Sequence, residues 1–212
     1  MQHAGAAVET EARPVVLLHG LGRTSASMYL LARRLRRAGL DAGTLAYPST
    51  RLSLEAACEF VRRTLNERFP TSRIDMVGHS MGGVIARRIC LSAEPPDVRR
   101  VVQIGAPNLG SPLADRLGPL WAVRTACGPA IEDLQATDDR LHADPRVTAI
   151  AGTYSTRTMH GPNDGAVPVR SAWAGAAHRH RVRRVHTLLP MSAAVARIVI
   201  AALKHDAEPA CS

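Results

Sequence analysis

Apolar residues follow two alternating patterns along this chain. Short, mainly apolar runs at 15–18, 74–77, 101–104 and 147–153 are separated by stretches in which apolar residues recur every third or fourth position. Runs of this length between turn residues predict strands buried on both faces, and the longer period predicts amphipathic helices. The first helix has Ser25 or Ser27 as its N-cap, sets Met28, Leu31, Leu35 and Ala38 on one face, and closes on Gly39. A short strand at 41–46 follows, then a helix at 53–68 with Leu54, Ala57, Cys58, Val61 and Leu65 facing inward. The run at 74–77 leads into a helix from about Met81 to Ser92, ended by Pro95 and Pro96. Residues 183–185 read as a short final strand. A last helix begins near Ser192, with Val195, Ile198, Val199, Ala202 and Leu203 inward.

Strands alternating with helices imply an α/β fold, with a mainly parallel sheet of about six strands and helices on both faces. Residues 14–206 form one domain, between a flexible N-terminal arm (1–13) and a C-terminal tail (207–212). Periodicity fails at about 107–145, which is rich in glycine, proline and acidic residues (Asp133, Asp138, Asp139). That stretch reads either as a cap-like insertion over the carboxyl edge of the sheet or as a surface excursion. There is no internal repeat.

Composition adds little to the fold and more to the partners. The chain has 212 residues, of which 46% are hydrophobic and only 3% aromatic, so aliphatic side chains must fill the core. The formal net charge is +9, nearly all from arginine, with Lys204 the only lysine. Such a charge attracts anions weakly and without specificity. Arg33, Arg34, Arg36, Arg37, Arg62 and Arg63 fall on solvent faces of helices with no interleaved aromatics, which argues against specific nucleic-acid binding. Cys58, Cys90, Cys127 and Cys211 fit no metal-ligand spacing, and their disulfide status stays open. No signal-peptide pattern and no membrane-spanning apolar run are seen, so a cytoplasmic location is expected unless a leader has been removed.

The chemistry is carried by Gly78-His79-Ser80-Met81-Gly82-Gly83, between the run at 74–77 and a helix. A serine hydroxyl is a weak nucleophile and must be held where a base can reach it. A sharp strand-to-helix turn does this at the cost of backbone strain, and it crowds the chain so that positions two before and two after the serine must be very small. Gly78 and Gly82 meet that demand. The turn also leaves the Met81 N–H at a helix N-terminus, where an oxyanion can be held. Upstream, the run at 15–18 ends in His19-Gly20-Leu21-Gly22, where glycines let backbone approach a ligand. The pattern resembles the oxyanion loop of lipases and esterases, which makes the Leu21 N–H the second donor.

In the α/β-hydrolases that such an elbow resembles, the serine is followed in the chain by an acid and then a histidine. Ligands gather at the carboxyl ends of parallel strands. His186 leaves the predicted final strand at that end. His178 and His180 precede the strand and His205 lies late in the last helix, so His186 is the expected base. Asp144 precedes a strand, Asp138 and Asp139 belong to the irregular stretch, and Asp164 follows a strand within Gly161-Pro162-Asn163-Asp164-Gly165. Asp164 is therefore the expected acid. His160 reads as a surface turn or a wall of the site. Other pocket candidates are His19, Gly20, His79, Pro107, Asn108 and Val167.

Together, 15–23, 78–83, 105–111, 161–169 and 186–187 resemble small bacterial α/β-hydrolases of the lipase/esterase type. The resemblance spans nearly everything after residue 15, with 78–83 and 161–169 its most specific parts. It implies Ser80 as nucleophile, Asp164 as acid, His186 as base, and the backbone N–H groups of Leu21 and Met81 as oxyanion donors. It further implies small-molecule or lipid ester substrates and no metal or organic cofactor. The same residues would serve an acyltransferase, thioesterase or amidase. A non-catalytic binder on this scaffold and an anion-binding protein driven by charge are rival readings. Oligomeric state is not legible.

Overall fold

The computed structural model describes residues 13–112, 114, 128–134, 141–154 and 161–205. The expected arm, apart from Arg13, lies outside them, as do the tail, His160, Cys127, Cys211, Asp138, Asp139 and most of 107–145. The strands are β1 (Pro14–Leu18), β2 (Asp41–Leu45), β3 (Ile74–His79), β4 (Val98–Ile104), β5 (Asp144–Gly152) and β6 (Ala176–Val182). They form one six-stranded sheet in the order β2-β1-β3-β4-β5-β6, parallel at every pairing. All carboxyl ends therefore meet at one edge.

The helices are α1 (Tyr29–Arg37), α2 (Leu54–Arg68), α3 (Met81–Leu91), α4 (Ala130–Asp133), α5 (Val169–Trp173) and α6 (Ala193–Lys204), with 3-10 helices at Ser25–Met28 and His186–Met191. Strand alternation divides the core in two. Leu31, Leu35, Val195 and Val199 of α1 and α6 pack on Val15, Leu17, Val77 and Ile150. Ala57, Val61, Ile85 and Ile89 of α2 and α3 pack on Val16, Leu18, Met76 and Val101 across the sheet.

Local chemistry sets several boundaries. Ser53 accepts from the Ala56 N–H and Ser192 from the Val195 N–H, so both serines cap their helices. α1 ends on Gly39 at φ +83, with Gly39 N–H on the Arg36 carbonyl and Leu40 N–H on the Leu35 carbonyl, a Schellman closure. The expected serine N-cap of α1 is not found. The 3-10 turn Ser25–Met28 precedes the helix, and the Ser27 hydroxyl donates back to the Thr24 carbonyl. Cys58 is only half-buried. Asp133 of α4 accepts from the Leu54 N–H at 2.8 Å, giving α2 a second cap from far along the chain.

The final strand is Ala176–Val182, not 183–185. His178 and His180 thus lie within it, on its exposed positions. β6 is an edge strand with both faces open from Ala177 to Arg181, so no apolar run marks it.

Asp75 of β3 is buried and grips Arg99 of β4 through two hydrogen bonds of 2.6 and 3.0 Å. Arg99 also donates to the Leu203 carbonyl at 2.8 Å, fastening the end of α6 to the sheet. Arg99→Met would strand a buried carboxylate. It should lower stability by about 3–5 kcal/mol, seen as a fall in the urea unfolding midpoint.

Candidate active site

Ser80 follows β3 directly and stands at φ 53, ψ −125, the one non-glycine residue with positive φ among those described. From Ile74 through Arg87 every residue is buried except Ser80. The turn is tight enough that a Cβ at Gly78 would collide with the Gly82 carbonyl, and one at Gly82 with the carbonyls of His19 and Leu18. The two glycines therefore let the elbow form and let the end of β1 lie against it.

That contact brings the His19–Gly20 loop to the serine. A Cβ at Gly20 would sit 3.0 Å from Ser80 Cβ and 3.3 Å from His79 Nδ1. Leu21 comes next in that loop, half-buried against the core. Met81, as the first residue of α3, has an N–H with no acceptor inside the helix. His19 is braced from two sides. Its Nδ1–H donates to the Gly20 carbonyl at 2.9 Å, and its ring stacks on Tyr47 at 4.4 Å. The Tyr47 hydroxyl donates to the His19 carbonyl at 2.6 Å. Burial raises the Tyr47 pKa, so the hydroxyl stays a donor.

Asp164 and His186 leave the carboxyl ends of β5 and β6 and meet there. His186 Nδ1–H donates to Asp164 Oδ2 at 2.8 Å, and the His186 N–H donates to the Asp164 carbonyl at 2.9 Å. The other carboxylate oxygen, Oδ1, accepts the N–H groups of Ala166 (3.0 Å) and Val167 (2.8 Å). Asp164 is 1% exposed while His186 keeps 15% of its side chain open. Two glycines clear the space. A Cβ at Gly105, where φ is +58, would lie 3.1 Å from Asp164 Oδ2 and 3.2 Å from His186 Nδ1; one at Gly152 would lie 2.5 Å from Asp164 Cβ. Asn163 shapes the turn by donating to the Gly161 carbonyl and accepting from the Gly165 N–H.

The other pocket candidates divide. Pro107 is buried in the turn after β4. Asn108 exchanges hydrogen bonds with Gln103 and donates to the Ala174 carbonyl, so its amide ties that turn to the end of α5. The Val167 side chain packs with Ala151, Val169 and Ala172. His79 is buried under the site. Its Nε2–H donates to the His186 carbonyl at 3.1 Å, and the two rings lie 4.8 Å apart. The bracing by Tyr47, the bond from His79 and the clearances at Gly105 and Gly152 were not foreseen from sequence. The Tyr-Pro pair after β2 and the histidine beside the serine were the available signals.

Burial, reinforced by the neighbouring His186, holds the His79 pKa well below its ordinary value, and burial lowers that of His19 too. With their pKa values lowered by folding, both histidines bind fewer protons folded than unfolded and take up protons on unfolding as the pH drops below about 6.5. The unfolded state then binds more protons, so stability is full above that pH and declines as pH falls. The slope should approach about 1.4 kcal/mol per pH unit for His79 alone. Urea unfolding between about pH 7.5 and about pH 5.5 checks this against the linkage expected for histidine, and His79→Gln should flatten the decline.

Among the described residues, no helix is long and apolar enough to cross a membrane. No curated protein matches the sequence. Solved structures of similar fold include the mature lipase BlEst2 of Bacillus licheniformis, with a TM-score of 0.74 at 21% identity over 92% of this chain and 93% of that one. The RedJ thioesterase of Streptomyces coelicolor has a TM-score of 0.62 at 17% identity, over 95% and 90%. The phospholipase PlaB of Legionella pneumophila has a TM-score of 0.61 at 18% identity, over 76% and 45%. At these identities the likeness is one of fold. The family model for alpha/beta hydrolases matches residues 15–210, and the chain belongs to that family.

Proposed function

We propose that this protein is a serine hydrolase of carboxylic esters, with Ser80 as nucleophile, His186 as base and Asp164 as acid. The observation that carries the reading is the Asp164–His186 pair, bonded at 2.8 Å with its carboxylate buried, at the sheet edge where the elbow leaves Ser80 half-buried among buried neighbours. Asp164 fixes the imidazole with its proton on Nδ1, which leaves Nε2 free to accept. In the reaction His186 Nε2 takes the Ser80 proton as Oγ attacks the ester carbonyl. The tetrahedral oxyanion is held by the N–H groups of Leu21 and Met81. The imidazolium then gives its proton to the departing alkoxide, which leaves as the alcohol. Water, deprotonated by His186, attacks the acyl-serine, releases the carboxylic acid and restores Ser80. This sequence uses no metal or organic cofactor.

The similarly folded lipase, phospholipase and thioesterase agree with acyl chemistry at this site. Thioesters, amides and transfer to another acceptor would use the same acyl-serine. Hydrolysis of p-nitrophenyl acetate, butyrate, octanoate and palmitate tests the reading, with an acyl-coenzyme A thioester and a p-nitroanilide alongside. Faster turnover of the esters supports it. Turnover of the thioester or anilide alone would replace the ester reading with one of those classes.

A further inference from the structure

We propose that the carboxyl edge of the sheet, together with the face covered by α1 and α6, docks on an anionic lipid surface. The first observation is how charge is distributed. Residues 14–40 hold five arginines and residues 165–205 hold six arginines and Lys204, with no carboxylate in either stretch. These stretches carry +12 against +9 for the whole chain, so everything else is net −3. Arg170 and Arg181 lie beside Trp173, which packs on the α2–α3 layer, but the α1 and α6 parts of these stretches fold together. α1 and α6 share one core layer with Met28 and Leu189 of the two 3-10 helices, and the Arg34 guanidinium donates to the Met191 carbonyl at 2.6 Å. The opposite face differs. There Arg62 pairs with Glu59 and Glu94, Arg63 with Glu67 and Arg73 with Asp97.

The second observation concerns exposed apolar side chains. Five large hydrophobic residues stand exposed among those described: Tyr29 (59%), Leu91 (43%), Tyr154 (50%), Leu188 (47%) and Met191 (48%). All but Leu91 sit on segments leaving carboxyl ends of strands. Tyr29 opens α1, Tyr154 follows β5, and Leu188 and Met191 share a 3-10 helix with His186. Exposed Arg23, Arg33, Arg183 and Arg184 flank them in the chain. Apolar and aromatic tips within a cationic surround match the interfacial zone of an anionic bilayer, where side chains enter the headgroup boundary and arginines meet phosphates. A second copy of the chain would bring like charge against like charge. A nucleic acid offers no partner for aliphatic Leu188 and Met191. The proposal goes beyond ester hydrolysis and does not depend on it, since docking is read as binding.

Sedimentation of the full chain with sucrose-loaded vesicles tests it, comparing phosphatidylcholine alone with an equal mixture of phosphatidylcholine and phosphatidylglycerol. Binding to the mixed vesicles should be at least ~10-fold tighter and should weaken with added salt. The triple variant Arg33→Glu, Arg36→Glu, Arg37→Glu should lose ~10-fold or more of that binding. The double variant Leu188→Ser, Met191→Ser should lose several-fold, and thermal unfolding should show both variants folded. Equal binding to the two vesicle types, no binding, or binding unchanged in either variant would overturn the proposal. So would tighter binding to a DNA duplex that ignores the Leu188 and Met191 substitutions.

Discussion

Ser80→Ala is expected to remove turnover of every ester the wild type cleaves, by roughly 10⁵–10⁶-fold, while the protein stays folded. Loss of the only hydroxyl on the elbow would remove the proposed covalent route altogether. What remains is the small acceleration from binding and the oxyanion donors. Stability should hardly change. A serine at a helix N-cap usually satisfies a backbone N–H, and its loss costs about 0.5–2 kcal/mol. Ser80 makes no such cap bond. Its backbone is strained at φ 53, and alanine keeps that strain because it keeps a Cβ. Ser80→Gly should therefore be equally inactive yet more stable than Ser80→Ala by about 1 kcal/mol, since glycine adopts positive φ without steric cost. Rates on p-nitrophenyl butyrate and urea midpoints for wild type, Ser80→Ala and Ser80→Gly check both statements. A serine variant with unchanged turnover would place the nucleophile elsewhere.

The parts legible in sequence were those where one physical demand acts locally. Buried parallel strands must be apolar on both faces, so 15–18, 74–77, 101–104 and 147–153 each fell inside an observed strand or overlapped it closely. The elbow was legible because the demand on Gly78 is local, a collision with Gly82 four residues on, whereas Gly82 also answers to the distant carbonyls of Leu18 and His19. Asp164 and His186 were reached by chain order and strand polarity, and they are hydrogen-bonded in the fold. Illegible parts depended on distant partners or on the lack of any partner. β6 was misplaced because an edge strand open on both faces needs no apolar pattern, and Ala177 to Arg181 has none. The Asp133 cap on α2 joins residues 79 apart, and no local rule links them. Gly105 and Gly152 looked like ordinary turn and strand-end glycines. Their reason is the Asp164–His186 pair that packs against them, which exists only once β4, β5 and β6 are side by side. His79 looked like a lining residue because it neighbours the serine, yet strand alternation turns it inward beneath His186.

Asp164→Asn should cost about 10⁴-fold in turnover with little loss of fold, and the reason lies in the second carboxylate oxygen. Asp164 Oδ1 is committed to two backbone donors, the N–H groups of Ala166 and Val167. An asparagine must turn its one oxygen toward that pair, because an NH₂ placed there would face two donors. The amide NH₂ is then forced toward His186 Nδ1, where the carboxylate accepts at 2.8 Å in the wild type. A nitrogen receiving a hydrogen bond cannot also carry the proton, so the imidazole switches to the tautomer with its proton on Nε2. That tautomer cannot accept from Ser80. The side chains remain in position and the base is disabled by tautomer alone. Asp164→Ala differs. It leaves the two N–H donors without their acceptor and opens space beside Gly152, so it should lower stability by about 1–3 kcal/mol as well as turnover. If Asp164→Asn kept near wild-type kcat, Asp164 would not be orienting the base and the acid would lie elsewhere. If Asp164→Asn unfolded as readily as Asp164→Ala, Asp164 would matter to the turn more than to the chemistry. Turnover of p-nitrophenyl butyrate and urea midpoints for the two variants, taken side by side, separate these outcomes.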